Sequence, residues 1–214
     1  MSLVELLKKD VRFQEGLNAC INCGTCTAIC PAARFYNYDP RIIVETVQRG
    51  NEDNILALLE SDTIWYCGEC LSCKTRCPRN NTPGYIVQSL RNLSQELGCF
   101  TKSEKGRQQV IVKRKVGETL IKYGYCVFLD EIDLDGHPEQ GPVWQWYKDN
   151  ADSILKRLGA NYKGVGSGTL RKISDEDLLE LQRIFDVTGA TRRFDDIEKY
   201  CNGEVIPKSE GYED

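Results

Sequence analysis

Histidine is almost missing from this sequence: its 214 residues contain one, His137, in the turn-like stretch Gly136-His137-Pro138. A Rieske centre and a bis-histidine haem each need two imidazoles, so both are excluded, and His137 reads as a loop residue. Long apolar runs are missing too. The longest uncharged one, Tyr123–Leu129, has seven residues, where a membrane span needs roughly 20. The N-terminus puts Glu5, Lys8, Lys9 and Asp10 where a secretory signal needs an apolar stretch, so a cytoplasmic location is expected. Positive charge is not in excess. The 28 Lys and Arg against 32 Asp and Glu leave −4, which removes broad attraction to nucleic acid. No dinucleotide fingerprint, catalytic triad or paired-carboxylate motif is present. The stretch Gly164-Val165-Gly166-Ser167-Gly168 lacks a Walker lysine and a preceding strand, and reads as a flexible connector.

Cysteine, by contrast, is abundant: eleven residues, at 20, 23, 26, 30, 67, 70, 73, 77, 99, 126 and 201. The odd count and a reducing compartment argue against disulfides. The first eight form two copies of one pattern, Cys20-Ile-Asn-Cys23-Gly-Thr-Cys26-Thr-Ala-Ile-Cys30-Pro31 and Cys67-Gly-Glu-Cys70-Leu-Ser-Cys73-Lys-Thr-Arg-Cys77-Pro78. Each is C-x2-C-x2-C-x3-C-P. The first three thiolates curl round one face of an iron–sulfur cube, each reaching a different iron, and the fourth reaches the other cluster in two-cluster proteins. The proline turns the chain and removes a backbone donor.

The expected ligand sets are therefore crossed. One [4Fe–4S] cluster takes Cys20, Cys23, Cys26 and Cys77; the other takes Cys67, Cys70, Cys73 and Cys30. Crossing makes the two clusters neighbours, and electron transfer is the chemistry expected of them. Structural zinc is the alternative, but zinc sites use well-separated C-x2-C pairs, not runs of four ending in proline. Neither motif lacks a ligand, which argues against a [3Fe–4S] cluster. Cys99, Cys126 and Cys201 have no ligand spacing around them and read as small buried hydrophobes.

Eight thiolates and two oxidised cores would carry the formal charge from −4 to about −8, so nearby cations favour the reduced form. Lys74, Arg76 and Arg79 lie in or beside the second motif, and the first has no charge inside it. They are expected to raise cluster potentials and help dock an acidic partner, or to be plain solvated charges. Gly24 and Gly68 each follow an early ligand and would let backbone approach a cluster, or serve turn geometry.

The fold class expected is mainly α, with both motifs as loops held by helices. Asp39-Pro40 reads as a cap and first helical residue with Gly50 as the stop; Ile42, Ile43 and Val47 share one side. Asn54–Glu60 gives a second short helix. Thr82-Pro83 opens a third that ends near Gly98, with Ile86, Leu90, Leu93 and Leu97 three or four apart. Leu3–Phe13 is also amphipathic. Beyond about residue 100 no metal motif remains. Gly106–Lys122, Trp144–Leu158 and Phe194–Cys201 read as helices, and Ser174–Asp177 as a capping box opening another to about Val187. Tyr123–Leu129 fits a short strand or a buried helix end, Asp130–Gly141 a polar loop, and Gly203–Asp214 a loose tail. Trp144, Trp146 and Tyr147 read as core or as burial between subunits, since no polar catalytic group accompanies them.

Two complete motifs, Cys20–Pro31 and Cys67–Pro78, separated by a helical span and joined to no other catalytic domain, resemble the C-type iron–sulfur subunit of heterodisulfide reductase. The resemblance covers about residues 1–100. It implies an α-helical ferredoxin domain binding two [4Fe–4S] clusters over 1–100, with a mostly helical C-terminal extension over 101–214 that contacts other subunits. It also implies a hetero-oligomer, in which this chain relays electrons between two heterodisulfide reductase-like partners. One is an A-type subunit holding FAD and Fe–S clusters; the other is a B-type subunit holding CCG motifs and disulfide chemistry. No CCG motif occurs here, which fits the C-type subunit alone. The long C-terminal half departs from the compact methanogen form and points to the heterodisulfide reductase-like complexes of sulfur oxidation. Alternatives are the iron–sulfur subunit of another flavin-linked dehydrogenase, or a free dicluster ferredoxin. Succinate dehydrogenase subunits carry an added plant-type domain, glycolate oxidase subunits continue into CCG repeats, and a diffusible carrier needs no such extension.

Overall fold

Apolar residues three and four apart dictate short helices, because each turn must bury one stripe. The computed structural model describes residues 1–132, 134 and 142–201. Its packing divides the chain into two units: Met1–Gln108 with Lys199–Cys201, and, among the described residues, Gln109–Glu198. The first unit holds α1 (Leu3–Leu7), α2 (Val11–Gly16), α3 (Thr25–Ala28), α4 (Pro40–Arg49), α5 (Glu52–Leu59), α6 (Ser72–Arg76) and α7 (Pro83–Glu96). Among the described residues there is no strand, and none of the helices is long and apolar enough to cross a membrane.

Capping sets the boundaries. The Asp39 carboxylate accepts from the Arg41 and Ile42 N–H groups, Pro40 takes the first position, and Gly50 closes α4. The single amphipathic segment expected over Leu3–Phe13 is two helices. The Asp10 side chain accepts from the Arg12 N–H at 2.8 Å and caps a new start there, as short acidic side chains do when they compete for backbone donors.

α7 is the centre of this unit; α1, α2, α4, α5 and α6 all pack against it. Its Ile86, Val87, Leu90 and Leu93 are buried with Leu7, Phe13, Ile43, Val44, Val47, Ile55, Leu59 and Ile64, each such side chain stabilising the fold by about 1.5–3 kcal/mol. In α4 the buried face is Pro40, Ile43, Val44 and Val47. Ile42, assigned to that face from the sequence, is 50% exposed, because the i, i+3, i+4, i+7 spacing selects Val44 instead. Leu97 is exposed as well. Asp62 keeps the chain in this unit beyond residue 100, accepting from the Ser103 hydroxyl at 2.5 Å and the Lys105 N–H at 3.0 Å. Tyr200 joins the unit by donating to the Glu96 carbonyl at 3.1 Å and meeting Phe100 edge-on.

The second unit begins within α8 (Glu104–Val112), at Gln109, and runs on through a π-helical turn at Lys113–Gly117 into α9 (Glu118–Tyr123); α10 (Pro142–Asp149), α11 (Ala151–Arg157) and α12 (Asp175–Thr188) follow, with α13 (Ala190–Tyr200) up to Glu198. The helix expected over Trp144–Leu158 breaks at Asn150, whose side-chain amide donates to the Trp146 carbonyl and competes with helix continuation. Tyr123–Leu129 is not a strand: Tyr123 is the last residue of α9, Gly124 closes that helix, and Phe128 stacks on Tyr123 at 4.4 Å before a 3₁₀ turn at Leu129–Glu131. The stretch read as a flexible connector folds on Asn161. Its N–H donates to the Thr169 carbonyl, and its side chain donates to the carbonyls of Val165 and Ser167.

Glu198 accepts from Arg114 at 2.6 Å and Lys113 at 3.0 Å, and the Arg114 guanidinium leads in pulling its carboxyl down to about 2. Cys99 and Cys201 are buried as expected, but Cys126 is exposed, because the turn after α9 leaves it outside. Trp146 is 59% exposed and not core. His137, most of the 130–141 loop and the 203–214 tail lie outside the described residues.

Candidate metal centres

The two cysteine motifs take one backbone path. Asn22 and Glu69, just before the second cysteine of each motif, have φ of +60° and +53°; Gly24 and Leu71, just after it, have +79° and +57°. Two left-handed residues around one cysteine curl the chain so that three thiols face a common volume, and α3 and α6 then begin. Glycine takes that conformation freely; Leu71 does so at a cost of about 1–2 kcal/mol. The sequence reading paired Gly24 with Gly68. The structure pairs Gly24 with Leu71: Gly68 is not left-handed, and a side chain there would meet nothing within 4 Å.

Two cavities result. One is bordered by Cys20, Cys23, Cys26 and Cys77, the other by Cys30, Cys67, Cys70 and Cys73. No cysteine borders both. The fourth cysteine of each motif thus lies against the opposite loop. Hydrogen bonds between remote segments deliver Cys77 to Cys20. The Asn18 N–H donates to Asn81 Oδ1 at 2.5 Å, the Thr82 N–H to the Gly16 carbonyl at 2.8 Å, and Arg79 Nε to the Ala19 carbonyl at 3.3 Å. α3, which carries Cys26 of the first quartet, packs on α6, which carries Cys73 of the second. Soft thiolates in fours suit iron–sulfur clusters. Among the described residues no three His, Cys, Asp or Glu side chains converge as one metal ion would require; each quartet borders a volume.

Each loop has its own anchor. In the first, the Gln48 amide clamps the backbone of Cys20, accepting from its N–H at 2.6 Å and donating to its carbonyl at 3.1 Å. In the second, the Arg91 guanidinium donates to the Cys67 carbonyl at 2.6 Å, the Ile64 carbonyl at 2.7 Å and Glu69 at 2.5 Å. It also stacks over Trp65.

Backbone N–H groups reach sulfur at Asn22 to Cys20 and Asn81 to Cys77, at 3.4 and 3.2 Å. The Thr25 and Ser72 hydroxyls beside Cys23 and Cys70 hold these thiols below the ordinary cysteine value. Burial pushes Cys26 up to about 11 and raises Cys73. Loading metal therefore releases protons from the inner pair and weakens as pH falls.

The surroundings differ more than the loops. Arg41 and Arg79 border the first cavity; Phe35, Tyr38 and Tyr66 border the second. Arg79, a sequence neighbour of the second motif, sits at the first quartet. Lys74 lies over the Tyr85 ring at 5.3 Å, and Arg76 is exposed. Burial, with Cys67, Cys30 and Cys73 beside it, holds the Tyr38 phenol far above its ordinary value. Arg41, Gln48, Arg91, Tyr38 and Asn81 were not found from the sequence. Only the spacing of the cysteines carries a signal, and these five come from outside it.

Residues 16–81 match the 4Fe-4S dicluster domain family. The C-type subunit of the ferredoxin:CoB-CoM heterodisulfide reductase of Methanosarcina acetivorans is 52% identical over 209 residues, 97% of this chain and 75% of that protein. The C-type iron–sulfur subunit of the CoB–CoM heterodisulfide reductase of Methanopyrus kandleri is 30% identical over 169 residues, 74% of this chain and 80% of that one. A C-type iron–sulfur subunit of the CoB–CoM heterodisulfide reductase of Methanocaldococcus jannaschii is 29% identical over 145 residues, 65% and 71% of the two chains. The first alignment runs through the C-terminal half, which removes the ground on which that half was set apart from the methanogen form. Domain match and thiol chemistry together give the chain two [4Fe–4S] clusters.

Proposed function

The chain belongs to the family of C-type iron–sulfur subunits of heterodisulfide reductase. From that premise we propose that it relays electrons between a flavin- and cluster-bearing A-type subunit and a CCG-type B subunit, in the reduction of a CoB–CoM heterodisulfide. Cys20, Cys23, Cys26 and Cys77 hold one cluster; Cys30, Cys67, Cys70 and Cys73 hold the other. The observation that carries this reading is the division of eight cysteines, four and four, between two adjoining cavities. The clusters, when bound, supply one-electron outer-sphere transfer.

The protein keeps the sulfur cage in place so that little rearranges as charge changes. Gln48 and Arg91 hold the loop backbones, Asn22 and Asn81 direct N–H groups at sulfur, and α3 against α6 keeps the two sites adjacent. The second unit supplies contacts to the other subunits. The 52% identity through that unit supports heterodisulfide chemistry over sulfur oxidation, and a chain with no apolar membrane-length helix among its described residues suits a cytoplasmic complex.

Anaerobically isolated protein should be brown and carry about eight irons. Photometric mixing tests the relay. Clusters reduced through the flavin-bearing subunit should be reoxidised by heterodisulfide when the CCG-type subunit is present. Reoxidation at the same rate without the CCG-type subunit, or elution of the native protein as a free monomer, would count against it.

A further inference from the structure

We infer that the Tyr38 hydroxyl is a positioning and tuning group for the second cluster, donating a hydrogen bond to the sulfur of Cys67; this rests on the ligand assignment above. Tyr38 is 4% exposed and packs within the hydrophobic core of the first unit. Its ring would serve that core equally well as phenylalanine. A buried hydroxyl costs free energy unless it is paired. Tyr38 borders the same cavity as Cys30, Cys67, Cys70 and Cys73, so a sulfur of that quartet is the partner the site offers it.

The backbone fixes its aim. The Tyr38 N–H donates to the Tyr36 carbonyl at 2.8 Å, and the next residue, Asp39, is held by the Arg41 N–H at 2.8 Å and the Thr27 hydroxyl. Among the described residues no tyrosine borders the first cavity, so the effect belongs to one cluster. A donor to a ligating sulfur withdraws charge and favours the more negative, reduced state. Tyr38 therefore raises the midpoint of the second cluster and leaves the first alone.

The test is a redox titration of the full chain, followed by electron paramagnetic resonance under anaerobic conditions, with the signals assigned through Cys77→Ser. The wild-type titration comes first: two separate centres support the ligand reading independently of Tyr38. Tyr38→Phe should then lower the second midpoint, with the first midpoint and the iron content unchanged. Site-specific replacement of Tyr38 by 3-fluorotyrosine, a stronger donor of nearly equal volume, should raise it. Opposite shifts confined to the second cluster support the inference. An unmoved second midpoint, or equal shifts of both clusters, would overturn it. Should the phenylalanine variant lose its cluster, the sign of the fluorotyrosine shift decides.

Discussion

The two cysteine loops share their spacing, both left-handed positions and the short helix that follows, yet they sit in different company. The first is clamped by a neutral amide, Gln48, and faces two cations, Arg41 and Arg79. The second is clamped by a guanidinium, Arg91, carries a strained Leu71, and faces an aromatic wall. Local sequence sets the path of the sulfur atoms. Helices remote in sequence set the field those atoms feel. One motif written twice therefore makes two unequal centres: Arg41, paired with Asp39, and Arg79 border the first quartet, while an aromatic wall borders the second, whose clamp Arg91 is paired with Glu69. The two clusters should therefore titrate at different midpoints.

The largest expected effect comes from the crossed cysteines. Cys77→Ser should perturb or remove the first cluster, and Cys30→Ser the second, in resonance spectra and iron content. The opposite assignment in either variant would undo the crossed grouping, and the comparison with it.

Next come the clamps. Arg91→Leu strands two carbonyls that accept from a charged donor, each such bond contributing about 1.5–3 kcal/mol. Gln48→Leu removes a neutral pair at about 1 kcal/mol. Denaturant unfolding should rank the variants in that order, and a chelator should bleach the second cluster first in Arg91→Leu. Equal losses would erase the distinction between the anchors.

The glycines give a smaller effect. Gly24→Ala forces a side chain into φ +79° and should cost about 1–2 kcal/mol. Gly68→Ala, in open space at ordinary φ, should stay within about 0.5 kcal/mol of wild type. A larger loss at Gly68 would return it to the role its sequence position suggests.

The smallest effect is electrostatic. Arg79→Gln should lower the first midpoint by no more than about 40 mV, equivalent to about 1 kcal/mol for one electron near solvent. A fall in the second midpoint instead would show that sequence neighbourhood, not spatial neighbourhood, governs the field.

Much of the fold was legible. The helices of the first unit announce themselves by Asp39-Pro40, Gly50, Thr82-Pro83 and the apolar period of α7. What escaped were breaks made by single side chains. Asp10 divides one amphipathic run and Asn150 another, since a short polar side chain that caps a helix reads the same as one that merely sits on its surface. At the candidate site the cysteine grouping was legible from spacing, and Cys77→Ser tests what that grouping binds. Leu71 was not legible, because leucine gives no sign that a left-handed residue is needed.

Taken alone, the sequence determined where the thiols fall along the chain, which helices can carry them, and that four and four can gather round two clusters. These follow from short-range rules: residues a few positions apart have few relative arrangements. Only the tertiary structure decided that Arg79 borders the first quartet, that Gln48 and Arg91 hold the loops, and that Tyr38 borders the cavity of the second quartet. Each of these depends on segments far apart in the chain meeting across a packed core, and no local pattern records that encounter.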